Sequence, residues 1–514
     1  MLFPKSKLMT LNRSTKLSIN TIVSLINQLT IIICGFVLPR MFLVSYGSAV
    51  NGLQASITQF LGFIALCELG VGAVVKSTLY KPLAQKNEEE ISKIFCSSER
   101  FFRKLGWILL FYTVALMLLY PFLAKNEFSF LYTTSLILII SLSAFARYFL
   151  GMTYRLLLSA DQLDFIPIGL HIIALILNTI VCVILMKCGF GIHLVKLISA
   201  IIYIAQPICL AIYVHKHYKI NHKLKLISEP IKQKWNGLAQ HLASFVLNGT
   251  PIAILTIFTS LKEVSIYTVY NLVTTGIKQF VMALTTGTQA TFGNMLANNE
   301  TENLNKAFTK FEWIMHTLTT LTFGLTGILI IPFVKIYTNG ITDVNYIVPL
   351  FAYLFTIGFA LHSIRLPYNT IILAAEHYKQ TQNSAIIEMS INLTLSIVLV
   401  FNYGLIGIAV GMLVALAYRT IYFAWYLSKN IMNRNLKYFI KHIFVDVLIV
   451  LLMLITGYFQ MKEVSYFAWF VLALKTSAVC VIISFIINLI FYRFEMFSVF
   501  QWINKKYFGK LKFI

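Results

Sequence analysis

Acidic residues are scarce in this chain. Only 19 Asp and Glu stand against 42 Lys and Arg in 514 residues, and charged residues of both signs make up 12%, where globular domains carry about 25%. With 58% hydrophobic residues and a mean hydropathy of +0.78, a soluble fold is excluded and a polytopic helical membrane protein is implied. Cysteine is sparse too. Cys34, Cys67, Cys96, Cys182, Cys188, Cys209 and Cys480 form no CxxC pair, which argues against a disulfide framework or a zinc site. There is no Gly-rich phosphate loop, no HExxH and no carboxylate pair in an external loop. These absences speak against an ATP-driven pump acting by itself and against an enzyme, and no cofactor is implied. A net charge of +23 would suggest nucleic acid in a soluble chain. Here the basic residues flank apolar stretches, where topology and anionic headgroups explain them, so no nucleic-acid partner is expected.

What is abundant is long apolar sequence. About fourteen stretches are long enough to cross a bilayer, near 17–39, 51–79, 105–124, 129–158, 164–187, 191–214, 238–260, 265–294, 311–337, 346–374, 380–402, 404–428, 440–460 and 464–492. The first is too long for a signal-peptide core and is expected to remain as an anchor. Cations sort into alternate gaps. One set runs from Lys5, Lys7, Arg13 and Lys16 through Lys81–Lys104, Lys216–Lys234, Lys306, Lys310, Lys379 and Lys429–Lys441 to Arg493–Lys512. The opposite gaps hold Arg40, Lys125, Lys187, Lys262, Lys335 and Lys462. Basic loops resist translocation, so the richer set is expected to be cytoplasmic, with both termini inside. The expected location is the cell membrane, multi-pass.

An internal repeat crosses the basic segment 215–237. Asn51, Leu53, Ile57, Gln59 and Phe60 match Asn271, Val273, Ile277, Gln279 and Phe280, and Leu158, Ala160, Asp161 and Gly189 match Leu373, Ala375, Glu376 and Gly404. A unit of six spans ends on the side where it began, so the halves are expected to be parallel repeats about a pseudo-twofold axis along the membrane normal. The expected organisation is an N-terminal lobe at 1–214, a cytoplasmic linker at 215–237, a C-terminal lobe at 238–428, an extra helix pair at 440–492 and an amphipathic cytoplasmic tail at 493–514.

Eight cations fall in neither set of gaps: Lys76, Arg147, Arg155, Lys196, Lys278, Arg365, Arg419 and Lys475. Lys76, Arg155 and Lys196 lie near span ends, where snorkelling accounts for them. Arg147, Lys278, Arg365, Arg419 and Lys475 lie deeper, where a cation costs several kcal/mol unless it meets a partner or a wet cavity. The deep acids available are Glu68, Glu388 and Asp446. Five cations against three acids suggest a positive interior that an anionic substrate completes. Lys278 sits beside Gln279, where the first half has Thr58 and Gln59. Arg365 lies in HSIRLPYN, and Pro367 suggests a discontinuous helix there. Each reading has a structural rival. Lys278 could hydrogen-bond a carbonyl between helices, and Arg419 could pair with Glu388. Glu68 could pair with Arg147 or couple an ion. His362 could bridge helices or relay a proton. Asn20, Asn27, Gln28, Asn178, Asn248 and Asn392 supply polar helix edges, with Asn27, Gln59 and Gln279 as candidate cavity groups.

The run YGSAVNGLQASITQFLGFIALCELGVGAVVKSTLYKPLAQKNEEEISKIF from Tyr46 to Phe95 resembles the polysaccharide-flippase (Wzx-type) family of the multidrug/oligosaccharidyl-lipid/polysaccharide exporter superfamily. So do ADQ at Ala160–Gln162 and SIRLPYNTIILAAEHYKQTQ from Ser363. The resemblance covers nearly the whole chain. It implies a carrier that turns an undecaprenyl-diphosphate-linked oligosaccharide from the inner to the outer leaflet by alternating access through a cationic central cavity, for surface polysaccharide synthesis. Lys278, Arg365, Arg147, Arg419 and Lys475 would then be the substrate-binding cations. The implied partners are the lipid-linked glycan, membrane lipids and polysaccharide polymerase or glycosyltransferase machinery. Spans 13 and 14 of such relatives form a groove for the lipid tail. The first span here lacks the arginine cluster of lipid II flippases and carries Asn20, Asn27 and Gln28 instead. The alternatives are an ion-coupled multidrug exporter of the same superfamily, whose cavity should be acidic, and a non-transport membrane component of envelope glycan synthesis.

Overall fold

In a computed structural model, residues 12–68, 71–124, 127–222, 238–285, 287–459, 461 and 463–503 are described, and among them every regular element is helical. Lys5, Lys7, Lys125, Lys462, the linker cations from Lys223 to Lys234 and the tail cations beyond Ile503 lie outside the described residues, as does the Asn248 side chain. Among the described residues, ten helices are long and apolar enough to span a membrane, which makes this a multi-pass membrane protein. Fourteen stretches are expected from sequence. The difference of four arises where two continuous helices, 15–67 and Gln382–Asn430, each carry two stretches, where 238–260 contributes only the shorter apolar segment Gly249–Phe258, and where Lys262, Glu263 and Lys278 dilute the apolar character of Leu261–Ala283.

Two compact units emerge: 1–245 with 255–265, and 246–254 with 266–514. The first contains α1 (Arg13–Gly62), a 3₁₀ turn (Phe63–Cys67), α2 (Val71–Gln85), α3 (Glu88–Leu123) and α4 (Phe130–Ala146). A wide π-type turn (Arg147–Gly151), α5 (Met152–Ala160), α6 (Phe165–Lys187) and α7 (Ile192–His217) follow. α1 bends at Gly47, whose φ is 79°. It packs along α6, while α4 packs on α7. Gly52 meets Leu261, within residues 255–265, so closely that a Cβ would stand 1.8 Å from the Leu261 carbonyl oxygen, and next to it Asn51 Nδ2 donates to Ser265 Oγ at 2.8 Å. Only glycine permits that approach.

The ADQ motif is a turn held from three directions. Tyr218 donates its hydroxyl to Asp161 Oδ2 at 2.5 Å, Asn20 Nδ2 donates to the Gln162 carbonyl at 3.0 Å, and Lys16 Nζ reaches the Asp161 carbonyl at 3.3 Å. Asn20 Oδ1 also accepts from the Phe165 amide at 2.8 Å, satisfying one of the free N–H groups at the start of α6. Burial and the neighbouring Asp161 carboxylate push the Tyr218 phenol well above its ordinary pKa, so it stays a donor.

α8 (Leu238–Phe258) and α9 (Leu261–Ala283) contribute to both units. The second unit continues with α10 (Thr288–Ala297), α11 (Thr301–Tyr337), α12 (Pro349–Ile364), α13 (Leu366–Ala374), α14 (Gln382–Asn430), α15 (Lys437–Met453), a 3₁₀ turn (Leu454–Tyr458), α16 (Tyr466–Phe491) and α17 (Arg493–Ile503). α12 packs against α14 and α11, and α11 also packs against α15 and α16. The expected extra helix pair is therefore built into this unit through α11. α14 reverses within itself at Gly404, where φ is 49° and ψ −125°.

The breaks recur in order along the chain. Outside Gly47, Gly287, Gly340 and Asn433, the positive-φ residues are Lys86, Gln162 and Gly189, then Asn299, Glu376 and Gly404. The two triplets are separated by a distance in sequence that is constant to within two residues. The turn chemistry, and not only the apolar pattern, is thus repeated.

Candidate functional site

In the first unit the site begins at a backbone irregularity. Between α4 and α5 the helix widens into a π-type turn at Arg147–Gly151. Such turns insert a residue and re-aim side chains, often at functional positions. The crowding that accompanies it is visible: a Cβ on Gly151 would stand 2.9 Å from Pro207 of α7, and a Cβ on Gly106 of α3 would stand 2.7 Å from the Phe149 ring. The turn leaves Arg147 exposed and buries Tyr148. Arg147 stacks on the Tyr148 ring at 5.3 Å, and Tyr148 donates its hydroxyl to the Glu68 carboxylate. No ion pair joins Glu68 to Arg147 among the described residues. The acid takes a neutral donor, so the carboxylate and the guanidinium meet the same tyrosine without a direct ion pair, and Arg147 stays exposed.

That charge faces a cavity of about 450 Å³ shared by Thr58, Arg147, Arg155, His171, Tyr203 and Gln206, with apolar residues between them. Arg155 is exposed and also lines the cavity. His171 Nδ1 lies 2.9 Å from Asn27 Oδ1, which fixes the ring, and Gln206 Nε2 donates to the Pro167 carbonyl at 3.3 Å. Two arginines and a histidine stand in a lining that contains no acid, a composition that suits an anion. Asn27 contributes by orienting His171. Gln59 is half-buried on α1, next to Thr58, and does not line this cavity.

The second unit treats its cations differently. Arg365 Nη1 donates to Glu388 Oε1 at 2.5 Å, and Arg419 Nη1 donates to Glu388 Oε2. Glu388 is fully buried, Arg365 and Arg419 nearly so, and both guanidinium groups lie over the Phe423 ring at 5.8 and 4.9 Å. The pairing weighed for Arg419 is present, and Arg365 shares it. A lone buried charge is expensive, and only pairing makes these three tolerable. The expected discontinuity at Pro367 is slight. α12 ends at Ile364 and α13 starts at Leu366, yet Arg365 keeps helical angles and its amide donates to the Leu361 carbonyl at 3.1 Å. Proline falls in the first turn of α13, where no donor is needed.

Lys278 is half-buried over the Phe359 ring at 5.0 Å. Lys278, Arg365 and Arg419 all act electrostatically on His362, whose Nδ1 is buried with no hydrogen-bond partner among the described residues. The bridge between helices weighed for His362 is therefore not made through that atom. The group Lys278–Arg365–Arg419–Glu388 keeps two positive charges in excess. Gln279 is exposed on the next face of α9. Lys475 is exposed on α16 and joins none of these clusters.

A third cluster was not legible as such in the sequence. Glu312 is buried and accepts from the Tyr368 hydroxyl at 2.6 Å and from Arg434 Nη1 at 2.5 Å, with His442 Nε2 at 3.5 Å. His316 Nδ1 lies 2.6 Å from Asp446 Oδ2 and its Nε2 3.1 Å from the Tyr368 hydroxyl, while Thr320 donates to Asp446 Oδ1 at 2.7 Å. Trp313 Nε1 and Thr317 both donate to Asn488 Oδ1, at 2.7 and 3.0 Å. The network ties α11 to α13, α15 and α16. It corrects the charge inventory: Glu312 is a further deep acid, and Arg434, expected in a solvated gap, is nine-tenths buried. A signal existed. Glu312 and His316, and again His442 and Asp446, stand four residues apart on apolar helices, and each pair shares a face.

No family model matches the chain, and no curated protein matches it. Solved structures do. An inward closed conformation of the lipid II flippase MurJ aligns over 92% of this chain and 98% of its own, with a TM-score of 0.70 at 17% identity. An inward-facing multidrug resistance MATE family transporter of the MOP superfamily aligns over 79% of this chain and 98% of its own, with a TM-score of 0.60 at 15% identity. The MATE multidrug transporter DinF-BH aligns over 82% and 97%, with a TM-score of 0.52 at 14% identity. At these identities the likeness is one of fold: this multi-pass helical chain has the fold found in the lipid II flippase and in transporters of the MOP superfamily.

Proposed function

We propose that the chain is a flippase that carries a polyprenyl-diphosphate-linked oligosaccharide from the inner to the outer leaflet of the cell membrane, for surface polysaccharide synthesis. The observation that carries this reading is the first unit's cavity, where Arg147 and Arg155 stand with His171 and no acid lines the wall. A diphosphate and its sugars cannot cross hydrocarbon unaided. Arginines give each phosphate charge-assisted, bidentate hydrogen bonds, while Tyr203, Gln206 and Thr58 offer neutral partners for sugar hydroxyls. Lys278 in the second unit is a further cation, and the residual positive charge around it suits an anion as well. The polyprenyl tail stays in lipid. In this reading the chain crosses fourteen times with cytoplasmic termini, transport proceeds by alternating access, and the polymerase or glycosyltransferase machinery of the envelope receives the product.

The fold also occurs in multidrug transporters, but an exporter of organic cations calls for acids in its cavity. Here Glu68 is occupied by Tyr148, and Glu388 by two arginines. The test is depletion of the protein followed by mass spectrometry of polyprenyl-linked intermediates. Accumulation of one defined oligosaccharide unit on the lipid carrier is expected. An unchanged intermediate pool together with increased sensitivity to cationic dyes would replace this reading with drug export.

A further inference from the structure

At one end of the second unit, α11, the turn after α14, α15 and α17 enclose a pocket of about 770 Å³ that plays no part in the proposed transport path. Its cations are Lys306, Lys310 and Arg434, and its neutral donors include Asn305, Thr309 and Asn435. Glu495 is the acid in its lining, and Phe494, 87% exposed, stands at its edge. Lys306 pairs with Glu302 at 2.5 Å, but both ends are exposed, and pairs of that kind bind weakly in water. Lys310 is exposed as well. Arg434 is the built element. Its Nη1 is committed to Glu312, its guanidinium lies 4.3 Å from the Tyr438 ring centroid, and its Nη2, buried beneath the wall, has no partner among the described residues. A guanidinium with an unfilled donor in the wall and two lysines around it suits a phosphate oxygen.

We propose that this pocket binds the phosphate of an anionic phospholipid from the surrounding leaflet, as a site separate from the transported substrate. Charge points to the class of ligand: Lys310 has no ion pair among the described residues and Lys306 holds only its exposed pair with Glu302, so an anionic headgroup is favoured over a cationic or zwitterionic one. The surroundings decide the source. α17 presents exposed Phe494 and Phe497 beside the polar mouth, an apolar edge that suits acyl chains next to a headgroup. Basic pockets between membrane helices bind anionic headgroups by this combination. The bound phosphate would complete Arg434, and through Glu312 it would brace Tyr368 and His442, so occupancy ties α17 and α15 to α11.

The test uses full-length protein in detergent, titrated with short-chain phosphatidylglycerol and, separately, phosphatidylcholine, with retention read by native mass spectrometry. Selective retention of phosphatidylglycerol is expected. The double variant Lys306→Ala, Lys310→Ala should bind about thirtyfold more weakly, at roughly a kilocalorie per mole for each lysine. Both side chains are exposed, so folding should persist. Glu495→Gln should bind more tightly than the parent. Equal retention of the two phospholipids, or of phosphatidylglycerol by parent and double variant, overturns the proposal. Preference for a polyprenyl phosphate over phosphatidylglycerol also overturns it, by assigning the pocket to the substrate. The assay reads binding alone, so its failure leaves the flippase reading standing.

Discussion

Replacing Glu388 by Ala removes one carboxylate and strands two arginines. Arg365 and Arg419 are buried, and each donates to a different oxygen of Glu388. The lost interaction is not the main term. The main term is two guanidinium groups left in an apolar interior with neither water nor counter-charge. Breaking a buried pair in this way costs about 3–5 kcal/mol. For a unit of this size each kilocalorie moves the melting midpoint by a few degrees, so a fall of about 6–20 °C is expected. The assay is thermal unfolding of purified protein in detergent, followed by gel filtration. The triple replacement Arg365→Met, Glu388→Leu, Arg419→Met removes all three charges at similar volume and should recover most of the loss. A single Glu388→Ala variant with an unchanged midpoint would refute the clamp. So would a triple variant no more stable than the single one, because the deficit would then not arise from stranded charge.

Arg147→Ala with Arg155→Ala should lower flipping in reconstituted vesicles by more than tenfold at unchanged protein level, since each lost charge-assisted hydrogen bond is worth about 1.5–3 kcal/mol. Lys475→Ala, at an exposed position outside the clusters, should leave transport as it was, and a matching loss there would mean that bulk charge, not the cavity, governs the rate. Gly404→Ala forces an L residue into a disfavoured conformation at the reversal of α14, and should destabilise the second unit by about 1–3 kcal/mol, read as a lower melting midpoint.

Much of the architecture was legible because lipid imposes a simple rule: apolar length makes spans, and cations gather in loops. The repeat is an expectation from sequence, and the positive-φ turns at Gln162 and Glu376 and at Gly189 and Gly404 recur at the spacing it calls for. The site was read less well. Arg365 and Arg419 looked alike in sequence to Arg147, each a cation deep in an apolar run. Their difference is one of partners. Glu388 lies within reach of the first two, while Glu68 turns to Tyr148 and makes no direct ion pair with Arg147. Arg434 was misread for the converse reason, since a cation near a turn looks solvated until Glu312 is seen to bury it.

By itself, the sequence determined that this chain lives in a membrane, where its apolar helices lie along the chain, and that acids are too few to neutralise its cations. Those properties follow from composition and from one-dimensional order. The tertiary structure decided which cations are spent and which remain. Coulomb interaction in a low-dielectric interior falls with distance in space, not in sequence, and only folding sets the distance between Glu388 and Arg419, or turns Arg147 out to its cavity.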